Sequence, residues 1–119
     1  MSTLEPTVQV TQYAVNVYPD PDSINASLYE ITVEYRGKGQ WAVCWKGDCF
    51  DADGRRSYEP IPSERTGEWL ARHRFDHDTA IELAKRIAPT LMVNGMTAAG
   101  CWEWEQNQRA RLGVSGVSV

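Results

Sequence analysis

The chain is poor in the residues that most often carry chemistry or staple a fold. Its 119 residues include only three cysteines and two histidines. A small, odd number of thiols does not build a disulfide framework. No glycine-rich phosphate loop, nucleophile elbow or metalloprotease motif occurs, so the enzyme classes those motifs mark are not expected. There is no basic surplus either. Twelve Lys and Arg stand against sixteen Asp and Glu, a net charge of −4. That excludes a general pull on nucleic acid and leaves room only for a local basic face. No apolar run approaches the roughly 18 residues that a membrane helix needs. The opening "MSTLEPTVQV" lacks the basic start and apolar stretch of a signal peptide. These absences predict a cytoplasmic protein with reduced thiols and no membrane partner.

What is present is the composition of a globular domain, 42% hydrophobic and 24% charged. One α+β domain is expected over residues 1–112, with a flexible tail over 113–119. From Val8 to Tyr18 the chain is β-prone. Tyr13, Val15 and Val17 alternate, but Val8 and Val10 fall in the opposite phase, which requires a bulge or break near Gln12. "PDPDS" stops that strand. "LYEITVEYRG" places Tyr29, Ile31, Val33 and Tyr35 on one face and charged residues on the other, the pattern of a strand with one wet side. "RGKG" reads as a hairpin loop, after which Trp41, Val43 and Trp45 resume the core face. With Gly47-Asp48 as the next turn, Lys46 faces Cys49 and Trp45 pairs with Phe50. Asp53-Gly54 makes another turn. "EWLARHRF" fits a short strand or a turn of helix equally.

"DHDTAIELAKRIAP" is the one long helix. Ala80, Ile81, Ala84, Ile87 and Ala88 form its apolar stripe, Asp76 or Asp78 caps its start, and Pro89 ends it. "TLMV" reads as a final short strand with Asn94-Gly95 as its turn. The predicted fold is therefore an antiparallel β-meander of about five strands packed against one main helix, with a short C-terminal strand and tail.

Two spacings touch chemistry. Cys44 and Cys49, with His73 and His77, make a tetrahedral donor set of the kind that holds structural zinc, and such a site would make a zinc-stabilised interaction module. The competing reading is two core cysteines and two surface histidines. It is preferred because the hairpin has an apolar reason to fold and the histidines need not share a face. No cofactor is expected. "DCFDADGRR" brushes the calcium-loop pattern, but Cys49 and Pro60 fall where ligands are required. Arg55, Arg56, Arg65, Arg72 and Arg74 cluster in the middle of the chain with Trp69 and Tyr58 nearby. This mixture suits a protein interface, with Arg55, Arg56, Trp69, Arg72 and Arg74 as contacts, or, alternatively, a nucleic-acid backbone. Trp102 and Trp104 in "CWEWEQ" share one side of a strand and form either core closure or a docking patch.

"GQWAV", "YEPIPSERTGEWLARHRF", "TAIELAKRIAP" and "VNGMTA" together resemble a group of short proteins from bacteriophages of actinobacteria, over about residues 30–98. The resemblance implies a phage protein acting in the host bacterial cytoplasm. It carries no activity and no catalytic or ligand-binding residues. In that group the position of His77 is usually apolar, which argues against a four-ligand zinc site. The expected function is a non-enzymatic accessory protein that binds a protein, a host factor or a second copy of itself.

Overall fold

The computed structural model describes residues 3–113, so residues 114–119 of the expected tail lie outside the description. Five strands, β1 (Gln12–Val15), β2 (Ile31–Gly37), β3 (Gln40–Trp45), β4 (Asp48–Phe50) and β5 (Arg56–Tyr58), form one antiparallel sheet in sequential order. Three helices follow: α1 (Gly67–His73), α2 (His77–Ile87) and α3 (Ala98–Arg111). The expected meander and main helix are present, but the chain closes with a helix rather than a strand.

Alternation builds the main core. Ile31, Val33, Trp41, Val43, Trp45 and Phe50 are buried on one sheet face, under Ala80, Leu83, Ala84 and Ile87 of α2. Asp76 starts α2 by accepting a hydrogen bond from Thr79 N at 2.7 Å. Lys85 and Arg86 complement the carboxyl end of that helix. Ile81, expected in the core, is only half-buried, whereas Leu83 is buried. Tyr35 is also half-buried, because it stands where β2 runs out into the hairpin at Gly37.

Four expectations are corrected by this architecture. First, the turn between β3 and β4 is Lys46-Gly47, both with positive φ (51° and 84°). Such a two-residue turn matches the twist of its strands. It sets Cys44 opposite Cys49 and Trp45 opposite Asp48, so the Trp45–Phe50 pair is not formed. Second, the opposite sheet face is not wet at its centre. Ala42, Cys44 and Cys49 are buried there with Trp69 of α1 packed against them. Small side chains at alternate positions left a site that an indole fills.

Third, "TLMV" forms no strand beyond an isolated bridge between Val93 and Met96 around the Asn94-Gly95 turn. Fourth, "CWEWEQ" is helical. Thr97 accepts from Gly100 N at 3.2 Å to cap α3, and the alanine, glutamate, glutamine and arginine that follow are good helix formers. Residues two apart on a helix point to nearly opposite sides, so the two indoles cannot share a face. Trp102 packs edge-on against Tyr18 at 5.7 Å, and Trp104 is 50% exposed. The loop between β1 and β2 holds α3 by one carboxylate: Glu105 accepts from Tyr18 Oη (2.9 Å), Ser23 Oγ (2.6 Å) and Asn25 Nδ2 (2.9 Å). No helix among the described residues is long and apolar enough to cross a membrane.

Candidate functional site

The arginine–aromatic cluster expected to meet a partner divides into an inner and an outer part. Glu59, just after β5, organises the inner part. Arg36 donates to it from Nη2 (2.9 Å) and Nε (3.2 Å), and Arg74 from Nη2 (2.7 Å). Arg65 Nη2 lies 3.4 Å away. Burial by itself would raise the Glu59 carboxyl, but the hydrogen bonds from Arg36 and Arg74 prevail and hold it at about 2. The same bond to Glu59 raises Arg36, so the guanidinium stays charged. Arg74 and Arg65 also flank the Trp69 ring, at 5.1 and 5.9 Å from its centroid. His73 lies flat on that indole with ring centres 4.1 Å apart. Arg74 and Trp69 are thus parts of an internal stack.

The outer part lies on the β4–β5 hairpin and on Arg72 of α1. Arg56 pairs with Asp48 at 2.9 Å and covers the Trp45 ring at 4.7 Å. Arg72 reaches Asp51 (3.3 Å) and Asp53 (3.5 Å). Asp51 accepts from the backbone N–H groups of Asp53 and Arg55, which lower its pKa against the opposing effect of burial. This is turn chemistry, not an ion loop. Among the described residues Arg55 has no side-chain ion pair.

The four zinc candidates do not converge. Cys44 and Cys49 face Trp69, His73 stacks on that indole, and His77 stands at the start of α2 against Tyr13 (5.1 Å) and Trp41 (5.3 Å). Among the described residues no three His, Cys, Asp or Glu side chains group as a metal site. Burial, reinforced by Glu34, pushes the Cys44 thiol up to about 12, and burial pushes Cys49 up to about 11. Both are protonated at neutral pH and poor nucleophiles.

Two surface features remain, and residue-by-residue motif reading missed both. A groove of about 360 Å³ is lined by Ala52, Phe75, Thr79 and Leu83, with Asp78, Glu82 and Arg86 on its walls. Phe75 is fixed there by paired backbone hydrogen bonds with Trp41 (2.8 and 3.0 Å). The second feature is residues 3–10, all exposed and without a hydrogen bond among the described residues. Only at Thr11 does the chain join the sheet, accepting from Tyr35 N at 2.8 Å. In this arm Leu4, Pro6, Val8 and Val10 alternate with Thr3, Glu5, Thr7, Gln9 and Thr11. That is the pattern of a strand with an apolar side, yet Val8 is 100% and Leu4 92% exposed. The phase change at Gln12 was the available signal. It marks the place where the chain leaves its own sheet.

No family model, curated protein or solved structure matches the chain.

Proposed function

We propose that the protein is a non-enzymatic binding module whose partner is another protein, and that it acts as a bacteriophage accessory protein in the bacterial cytoplasm. One observation carries the binding reading: a segment of alternating apolar and polar residues, 3–10, that lies outside the sheet with Leu4 and Val8 almost wholly exposed. Such a segment is suited to adding itself to a sheet edge or filling an apolar groove. Protonated, buried thiols support the non-catalytic reading. The nucleic-acid alternative is weakened because Arg36, Arg65 and Arg74 share Glu59, and Arg56 and Arg72 are paired with aspartates. The exposed indole of Trp104, Arg55 and Arg56 of the β4–β5 hairpin and Arg72 of α1 remain as secondary contacts. Phage context rests on the sequence resemblance over about residues 30–98.

Capture from an actinobacterial extract to which untagged copies of the chain have been added tests this reading, with the wild-type chain and a Val8→Asp/Val10→Asp variant as baits. The expected result is protein retained by the wild type and lost with the variant. Equal retention by both baits, or DNA binding that falls steeply with salt, would overturn it.

A further inference from the structure

Register places the arm and the groove at the same end of the sheet. Gln12 pairs with Glu34, so residues before it run toward the β2–β3 hairpin, where Gly37 pairs with Gln40. Cys44 pairs with Cys49 and Phe50 with Arg56, so the β4–β5 turn, residues 51–55, closes at that same end. Ala52 of that turn lines the groove beside Phe75, which is bridged to Trp41 of β3. The arm leaves from β1, at one edge of the sheet, three strand spacings from β4.

We infer that this end of the molecule joins two copies of the chain, with the arm of each lying in the groove of the other. This rests on the protein-binding reading and names its partner. Three observations favour a second copy over an unrelated protein. The same chain carries both an exposed segment with alternating apolar residues and an apolar groove. Both are at one end, so a two-fold axis through that end makes the exchange reciprocal and closed. Three strand spacings amount to about 15 Å, and residues 4–11 in extended form span about 23 Å, so an arm arriving from a facing copy has the reach. Charge agrees as well. Glu5 is the single charge of the arm. Arg86 stands on the groove wall with no ion-pair partner among the described residues, while the wall's two carboxylates, Glu82 and Asp78, lie 3.5 Å from Lys85 Nζ and 2.9 Å from His77 Nδ1. In its own chain the arm does not enter the groove: Val8 is wholly exposed.

Sedimentation equilibrium over a wide concentration range tests the inference, on the full chain and on three variants. Wild type should reach twice the 13.4 kDa chain mass. Val8→Asp/Val10→Asp should remain monomeric with a melting temperature close to that of the wild type, since Val8 is wholly exposed and Val10 more than half exposed. Arg86→Glu should weaken association about tenfold or more, and adding Glu5→Arg should restore most of that loss. A wild-type monomer at every concentration would overturn the inference. So would a dimer indifferent to the arm substitutions, or larger arm-dependent assemblies. The extract capture separates the two readings: a monomeric wild type that still retains protein through its arm removes the second copy and leaves the binding function.

Discussion

At Glu59 a single carboxylate accepts from two guanidiniums and neighbours a third, so this residue controls how much positive charge the surface offers. The ordinary glutamate value of 4.5 falls to about 2 in the fold. A folded pKa below the unfolded one means stability present above about 4.5 and lost as pH falls toward about 2. Glu59→Gln should therefore cost about 2 kcal/mol at neutral pH, allowing for partial solvent screening. Urea midpoints recorded across that acid window should show the wild type losing its advantage over the variant. A midpoint difference that stays constant with pH would mean the ion pairs contribute nothing. The thiols offer a second test at this scale. With Cys44 and Cys49 buried and protonated, a disulfide reagent at mild pH should label them only as fast as the protein unfolds. Prompt labelling in the native state would show that the face under Trp69 is open.

Among the elements, the strength of each interaction follows what its side chains bury. Val33→Ala or Ile87→Ala should cost about 2–4 kcal/mol, because both lie in the core between the sheet and α2. Trp102→Ala should cost about 3 kcal/mol and Trp104→Ala under about 1, since only the first packs on the core. Denaturant midpoints check all four, and equal effects of the two tryptophan changes would contradict the helical placement of "CWEWEQ". This contrast also shows where the sequence was legible. Strict alternation in β2 and β3 and the capped stripe of α2 depend on local periodicity, and they were readable. Two tryptophans at i and i+2 suggested a strand, but Thr97 as a cap and the alanines after it decided for helix. Lys46 in a left-handed conformation moved the hairpin by one position, a choice that no hydrophobic pattern records. Trp69 over Ala42, Cys44 and Cys49 was not legible because it depends on where α1 docks. Of the arginines that composition singled out, only Arg65 and Arg74 gather at Glu59, where Arg36 joins them, and that gathering is a tertiary fact.

For the molecule as a whole, a closed body and an exposed arm need different explanations. The body satisfies itself: its sheet is covered by α2 on one face, by α1 at the centre of the other, and α3 is tied down through Glu105. The arm makes no hydrogen bond among the described residues and leaves Leu4 and Val8 exposed, although its apolar and polar residues alternate. The direct measurement is amide hydrogen exchange of Thr7, Val8, Gln9 and Val10 at low and high protein concentration. Free exchange when dilute and clear protection when concentrated, together with unchanged protection of β2 and β3, is the predicted result. Protection of the arm at every dilution, or at none, would contradict the account.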